Sequence, residues 1–244
     1  MSPLIPSGFV RVALLTLLLA GGARAQSATG FVLGERSLQL PIPDLDPSGV
    51  ARNLVATGLE AGPTYDLSVR LVIAGTGFGA FNGDYYAYLR HETPSGSQSQ
   101  LAVLLNRVGR SVEAPSGYSE SGFDVTLSDA AVWDIHHYQV ALGGVIDTPL
   151  TGTWQPDGRR VNPTISLDTS PRTTSLEPLG RMDPNGSWTL FLADMEAGGT
   201  GKLVEWEVRG TPRGGIPEPG STALLAVGAF VLGWVRYRRG TTRR

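Results

Sequence analysis

Apolar and polar side chains alternate along several segments of this chain. Residues 66–74, 123–129 and 187–194 each place an apolar residue at every second position. Because successive side chains of a strand point to opposite faces, each segment predicts a strand with one buried face. The predicted inward positions are Leu67, Val69, Leu71, Ile73, Phe123, Val125, Leu127, Trp188, Leu190 and Leu192. The same pattern over residues 204–209 predicts that Val204, Trp206 and Val208 face inward.

Glycine- and proline-rich turns separate these segments. Strands over 84–91 and 101–107 are divided by the turn at 94–97, Asn185-Gly186 is a tight-turn dipeptide, and Leu54 and Val55 are predicted to begin the first strand. Large apolar side chains at every second place favour two sheets packed face to face. No long helical pattern appears outside the two ends, and only 17% of the residues are charged. The sequence therefore predicts an all-β sandwich.

A series of short motifs follows these strands in a fixed order. They are Gly83-Asp84, Pro94-Ser95-Gly96, Leu104-Leu105, Gly186-Ser187-Trp188-Thr189-Leu190 with Asp194, and Gly201-Lys202-Leu203 with Trp206. In this order the motifs resemble the P domain, or Homo B domain, of proprotein convertases and of bacterial subtilisin-like proteases. The resemblance implies a jelly-roll-like β-sandwich over residues 40–212, preceded by a short segment, 26–39.

The first 25 residues have the pattern of a secretory signal peptide. Arg11 precedes the apolar run 12–20, and Ala23-Arg24-Ala25 is a small-x-small cleavage site. We therefore expect export by the Sec machinery and cleavage between Ala25 and Gln26. A buried core helix is the alternative, but the run is too short and too close to the N-terminus to favour it.

Residues 213–244 combine a short motif, an apolar run and a basic cluster. Pro217-Glu218-Pro219 precedes the uncharged run 220–235, which is followed by Arg236, Arg238, Arg239, Arg243 and Arg244. As a helix the run would be about 24 Å long, somewhat shorter than the hydrocarbon core of about 30 Å. The segment resembles the PEP-CTERM sorting signal, which implies processing by a membrane-embedded exosortase. The alternative is a permanent single-span anchor.

The two ends also set the expected location and charge of the domain between them. The basic cluster holds the C-terminus in the cytoplasm, which places the domain outside the membrane. We therefore expect a precursor in the inner membrane of a Gram-negative bacterium and a product at the cell surface or in the extracellular polymer matrix. Seven of the 20 basic and one of the 22 acidic residues lie in 1–25 and 217–244, so removal of these two ranges changes the formal charge from -2 to -8. This charge argues against nucleic acid as a partner.

The residue types needed for catalysis are scarce. The three histidines are His91, His136 and His137, and the adjacent pair would point to opposite faces of a strand. No Gly-x-Ser-x-Gly elbow occurs, and the chain has too little room ahead of the P-domain motifs for a subtilisin-type catalytic domain. An EF-hand beginning at Asp44 is rejected because Val55 stands where the closing glutamate belongs. We expect that the protein is not an enzyme.

Two sets of residues remain as binding candidates. Asp84, Asp129 and Asp194 lie in turns that match the P-domain motifs, where they are either calcium ligands or acceptors for backbone N–H groups. The aromatic residues of 78–88 form either a platform for sugar stacking or ordinary core packing; they are Phe78, Phe81, Tyr85, Tyr86 and Tyr88.

Together these observations predict a non-catalytic, exported P-domain protein that acts as a binding or structural module. One alternative is an accessory domain that stabilises a separately encoded subtilisin-like serine endopeptidase. Another is a calcium- or carbohydrate-binding β-sandwich. The partners expected are accordingly a surface protease or an extracellular polysaccharide.

Overall fold

The computed structural model describes residues 29–76, 79–147 and 149–213. Ten strands and two short helices follow one another along this part of the chain. In chain order they are β1 (Phe31–Glu35), β2 (Leu40–Ile42), β3 (Asp46–Ala56), β4 (Tyr65–Thr76), β5 (Tyr85–Glu92), β6 (Ser99–Asn106), β7 (Phe123–Ser128), α1 (Tyr138–Leu142), β8 (Leu150–Trp154), α2 (Glu177–Gly180), β9 (Gly186–Asp194) and β10 (Thr200–Pro212). Turns of 3-10 helix lie at Asn82–Asp84 and Ile135–His137.

The strands form two sheets. The first has six strands, in the order β1-β10-β4-β7-β8 with β2 also paired to β10, and the second has the order β3-β9-β5-β6. All pairs are antiparallel except β7 and β8. The predicted two-sheet, mostly β architecture is therefore confirmed.

The core lies between the two sheets. All ten inward positions predicted for β4, β7 and β9 are buried. Phe31 of the first sheet lies 6.1 Å from Trp188 of the second, measured between ring centroids, and Tyr85 lies 6.4 Å from Phe123 in the same way. These contacts show that alternating apolar side chains from both sheets meet in one interior.

Strand β10 departs from the predicted alternation. The register with β4 shifts between Leu203 and Glu205, so Leu203 is fully buried and Val204 is not. The prediction that Val204 faces inward is wrong, because an irregularity of this kind places two residues of one strand opposite one of its neighbour. Trp206 and Val208, beyond the shift, face inward as predicted.

The sandwich begins earlier in the chain than the alternation indicates. Strand β1 pairs with β10, and Phe31 packs edge-on against Tyr65 with ring centroids 5.1 Å apart. The prediction that Leu54 and Val55 begin the first strand is wrong, since both lie near the end of β3. That strand begins at Asp46 and continues through Pro47, Ser48 and Gly49. Residues of these types are common in turns, so the sequence did not indicate a strand here.

Within the described residues, no helix has the length and apolar character needed to cross a bilayer. The predicted signal peptide, the apolar run 220–235 and its flanking motifs lie outside those residues.

Candidate functional site

The structure brings together two of the three aspartates that were predicted as calcium ligands. Asp84 ends the 3-10 turn ahead of β5, and Asp194 is the last residue of β9. The two strands are neighbours, with Tyr85 opposite Asp194, and the amide of Met195 donates to the carbonyl of Asp84 at 2.8 Å. The end of the β5 and β9 pair therefore carries two adjacent acidic side chains.

These two carboxylates are buried and only partly satisfied. Oδ1 of Asp194 accepts a hydrogen bond from the amide of Glu196 at 3.2 Å, but Oδ2 of Asp194 and Oδ2 of Asp84 have no partner among the described residues. The hydroxyl of Tyr85 is likewise buried without a partner. Buried polar atoms are almost always hydrogen-bonded, so three unpaired oxygens in neighbouring residues mark this strand end as a candidate ligand site.

One buried cation offsets part of the negative charge. The side chain of Arg107 donates from Nε to the carbonyl of Gly83 at 2.6 Å and from Nη2 to Glu196 at 2.6 Å. Its backbone is in the left-handed region, with φ of 54°, at the residue after β6. The guanidinium is thus bonded to groups other than the two aspartates, although its charge still acts on them.

The surroundings disfavour the ionised form of both acids. Burial, followed by the charge of Asp194, raises the pKa of Asp84 to about 7 against the opposing effect of Arg107. Burial also raises the pKa of Asp194 to about 6, although the amide of Glu196 lowers it, and Asp44 contributes a further repulsive charge. The site therefore favours the binding of a positive charge, either a proton or a metal ion.

The fit of this site to calcium is partial. Ca²⁺ takes six to eight oxygen ligands, among which carboxylates, carbonyls and hydroxyls all serve. Asp84 and Asp194 supply the unpaired carboxylate oxygens, but the described part of the chain contains no cluster of three or more His, Cys, Asp or Glu side chains arranged to hold a metal. The two aspartates would hold a calcium ion only together with backbone carbonyls or water.

Asp129 lies elsewhere and has a different role. Its Oδ1 accepts from the amide of Leu176 at 3.1 Å, and its Oδ2 accepts from the amide of Glu177 at 2.8 Å. Both amides belong to the first turn of α2, where backbone N–H groups have no partner within the helix. Asp129 therefore accepts hydrogen bonds from two backbone N–H groups at the start of α2.

His91 and His136 are buried, His137 is half-buried, and all three contact other side chains or carbonyls. Nδ1 of His136 lies 2.7 Å from Oδ2 of Asp157, with both residues fully buried, and Nε2 lies 3.2 Å from the carbonyl of Arg110. His137 lies 3.2 Å from the guanidinium of Arg159, and His91 stacks on Trp188. The His136 and Asp157 pair has the spacing of an orienting acid and a base, but its second nitrogen faces a carbonyl rather than a nucleophile.

The predicted aromatic platform is divided between the two faces of β5. Tyr85 points into the core, whereas Tyr86 and Tyr88 lie on the outer face. Sequence reasoning missed Phe191, whose ring stacks on Tyr88 with centroids 4.9 Å apart and planes inclined by 15°. The sequence signal for Phe191 was an aromatic residue at an outward-facing position of β9, between the inward-facing Leu190 and Leu192. Phe78 lies outside the described residues.

Comparison with known proteins gives little further information. No family model and no curated protein matches the chain. A structural similarity was found to the "Crystal structure of aeromonas sobria serine protease (ASP) and the chaperone (ORF2) complex", with 14% identity and a TM-score of 0.32. The match covers 78% of this chain but only 27% of that one. A similarity this weak carries no argument about function.

Proposed function

We propose that this protein is an exported, non-catalytic P-domain module that binds a divalent cation at the end of the β5 and β9 pair. The observation that carries the proposal is the pair of buried, unpaired carboxylate oxygens of Asp84 and Asp194. Both residues fall at motif positions of the P-domain resemblance. A further motif position, Gly186, is the first residue of β9, and Asp194 is the last residue of that strand. A jelly-roll-like topology belongs to the same proposal.

The non-catalytic part of the proposal rests on the buried histidines. Both ring nitrogens of His136 are engaged, one by Asp157 and one by a backbone carbonyl. His91 is enclosed by Trp188 and by the carbonyls of Asp183 and Ser187. A general base needs a free nitrogen within reach of the proton that it removes. These contacts favour structural roles for both residues.

Export and sorting form the third part of the proposal. Their support is the sequence of the two ends: a signal peptide cut between Ala25 and Gln26, and the Pro217-Glu218-Pro219 motif with its apolar run and arginine cluster. The expected partners are the Sec machinery, an exosortase-type enzyme and, before processing, the inner membrane. The mature module then acts at the cell surface or in the extracellular matrix.

Calcium-dependent melting tests the cation site. The full-length protein in detergent is melted at pH 8 with calcium or with EDTA. A ligand that binds only the folded state, present at about 100 times its dissociation constant, adds about 2.7 kcal/mol. We expect calcium to raise the melting temperature of the wild type. We expect Asp194→Asn to remove the calcium shift and, because it removes a buried charge, to melt higher than the wild type in EDTA.

Asp129→Asn is the matched control. Its side chain caps α2 and lies apart from the cation pair, so this variant should keep the full calcium shift while losing some calcium-free stability. Magnesium should stabilise the wild type less than calcium, since it requires a stricter octahedral geometry. An unchanged calcium shift in Asp194→Asn, or no shift in the wild type, would remove the cation site from the proposal.

A second candidate function is that of an accessory domain for a separately encoded subtilisin-like protease. The observation that favours it is a series of exposed apolar side chains between residues 132 and 145, which includes Trp133 at 53% exposure. The others are Val132, Val140, Leu142 and Val145. Exposed apolar surface of this kind is typical of interaction sites. Co-purification with a native subtilisin-like protease, lost in Trp133→Ala, would support this function, whereas retention in that variant would argue against it.

A further inference from the structure

The outer face of the second sheet carries an open groove of about 550 Å³. Its floor is formed by the rings of Tyr86, Tyr88 and Phe191, and one wall is formed by residues 160–164 of the segment that follows β8. Tyr88 and Phe191 are directly opposite in the register of β5 and β9, which explains why their rings stack. Tyr86 meets both rings edge-on, at centroid distances of 6.0 and 6.3 Å.

These three aromatic residues are not part of the core. Tyr85, Ala87 and Leu89 of β5 point inward, so the intervening side chains point away from the other sheet. The hydroxyls of Tyr86 and Tyr88 make no hydrogen bond with any described residue. The groove thus offers stacked ring faces together with two free hydroxyl groups, a combination found where a ligand has both apolar and polar parts.

The wall of the groove is held rigidly by the interior. The side-chain amide of Asn106 donates to the carbonyl of Arg159 at 2.8 Å and to that of Val161 at 3.1 Å. The guanidinium of Arg159 is itself buried against Asp134 and Asp157. The backbone on both sides of Arg160 is therefore fixed, while the side chain of Arg160 is exposed at the groove.

Arg160 differs from every other cationic side chain in the described residues. Twelve of the 13 Arg and Lys side chains in these ranges bond to a carboxylate, a carbonyl or a side-chain amide oxygen. Arg160 alone has no hydrogen bond or ion pair there, although acidic residues outnumber basic ones in the domain. An unpaired guanidinium beside stacked aromatic rings therefore points to an anionic ligand with a flat apolar face.

We infer that the groove binds an acidic polysaccharide, with a uronic acid ring stacked on Tyr88 and Phe191 and its carboxylate paired with Arg160. The C–H face of a pyranose ring suits the aromatic floor, and its hydroxyls suit those of the two tyrosines. An acidic peptide has the charge but lacks the flat face. A nucleic acid has both, but the formal charge of -8 without the two ends opposes it. The inference names the ligand class of the binding module proposed above and is independent of the cation pair.

The test is calorimetric titration of the full-length protein in detergent with three probes: an alginate hexamer, neutral cellohexaose and hexaglutamate. We expect the alginate hexamer to bind at least tenfold more tightly than either other probe in dilute buffer. Because one ion pair is involved, the preference should shrink as salt shortens the Debye length from about 30 Å to about 8 Å. Arg160→Ala should abolish the preference, and Tyr88→Ala should weaken the binding of both sugars.

Arg90→Ala is the matched control, because Arg90 lies two residues from Tyr88 on β5 and is paired with Glu92 at 2.7 Å. This variant should bind alginate like the wild type. Several results would overturn the inference: no binding of alginate, equal or tighter binding of cellohexaose or hexaglutamate, or wild-type affinity in Arg160→Ala. None of these results would alter the calcium-dependent melting of the protein, so the two proposals fail independently.

Discussion

The imidazole of His91 lies flat against the indole of Trp188, with ring centroids 3.9 Å apart and planes inclined by 12°. Both side chains are fully buried. Burial lowers the pKa of His91, against the opposing effect of its hydrogen bonds to the carbonyls of Asp183 and Ser187. Nε2 of His91 lies 2.7 Å from the carbonyl of Asp183, and the indole N–H donates to the carbonyl of Pro184 at 2.9 Å. The stack therefore holds the turn before β9 against the core.

Truncation of Trp188 should be strongly destabilising. Trp188→Ala empties the space between the sheets and leaves the stacking face of His91 uncovered, so we expect a loss of about 3–5 kcal/mol in the free energy of unfolding. Urea denaturation of the wild type and the variant measures this difference in the free energy of unfolding. The control Val55→Ala changes a side chain that is 69% exposed and should stay within about 0.5 kcal/mol. A loss below about 1 kcal/mol for Trp188→Ala would mean that the indole is not a core residue.

The ordered conformation of residues 157–175, which follow β8, should depend on one buried arginine. Arg159 donates to Asp134 at 2.8 Å and to the carbonyl of Asp168 at 3.0 Å, and it lies 3.3 Å from Asp157. Arg159→Met would remove the buried cation shared by Asp134 and Asp157 and leave Asp134 only the more distant Arg172, at 3.7 Å. Removal of one partner from a buried ion pair typically costs about 3–5 kcal/mol. Limited proteolysis should then cut residues 157–175 faster than in the wild type.

The control for that variant is Arg181→Met. Arg181 forms an exposed pair with Glu177 one helical turn away, and such pairs contribute about 0.3–0.5 kcal/mol. Proteolysis of residues 157–175 should be unchanged in this variant. If Arg159→Met were as resistant as the control, the buried network would not be what orders the segment.

The alternation of apolar and polar residues predicted those strands in which one face is apolar and the other is polar. In β4 and β9 every second residue is large and apolar, so the inward positions could be read directly. The register shift at Val204 could not, because it depends on pairing with β4 and leaves the local pattern of β10 unchanged. Strand β1 was missed since its five residues have too few alternations to stand out.

The candidate sites were predictable to different degrees. Motif positions identified Asp84 and Asp194, but their proximity follows from the neighbouring placement of β5 and β9, which is a long-range pairing. Residues 157–178 lack apolar alternation and are rich in Ser, Thr, Pro and Arg, a pattern that predicts a long surface loop. Asp157 and Arg159 are instead buried, because each satisfies the other and neighbouring polar groups. A pattern based on hydrophobicity cannot detect a buried polar network.

Processing of the C-terminal end should separate a sorting signal from a permanent anchor. Pro217 and Pro219 disfavour helix around them, so this stretch should be extended and accessible to a membrane-embedded enzyme. Mass spectrometry of the protein from its native host should find a chain that starts near Gln26 and ends close to Pro217. Full-length protein still ending at Arg244 in the surface fraction would instead indicate a single-span anchor.

The variant for the mass-spectrometry experiment replaces both Pro217 and Pro219 by alanine. We expect an uncut form, retained in the membrane, to accumulate, because the motif and its extended conformation are both lost. Pro212→Ala is the matched control, since Pro212 is the last residue of β10 and precedes the motif. Its processing should match that of the wild type, which separates recognition of the motif from a general effect of losing a proline.

The free energy of unfolding of the wild type should depend on pH because the buried acid pair, Asp84 and Asp194, titrates. The folded-state pKa values of Asp84 and Asp194, about 7 and about 6, lie above their ordinary value of 3.8. The folded state therefore binds more protons than the unfolded state, and the resulting stability is complete below about pH 4 and lost as the pH rises through 6 and 7. His91 and His137 have lowered pKa values and contribute the opposite slope up to about pH 6.5.

Comparison with the double variant Asp84→Asn and Asp194→Asn cancels the histidine contribution. Urea denaturation of both proteins in EDTA, from pH 5 to pH 8, gives the difference in their free energies of unfolding at each pH. We expect the variant to gain steadily on the wild type as the pH rises, because only the wild type must hold two buried negative charges at pH 8. Calcium added at pH 8 should reduce the difference, since it stabilises the ionised pair in the wild type alone. A difference that is the same at pH 5 and pH 8 would mean that the two carboxyls keep ordinary pKa values in the folded protein, and the strand end would then favour neither a proton nor a metal ion.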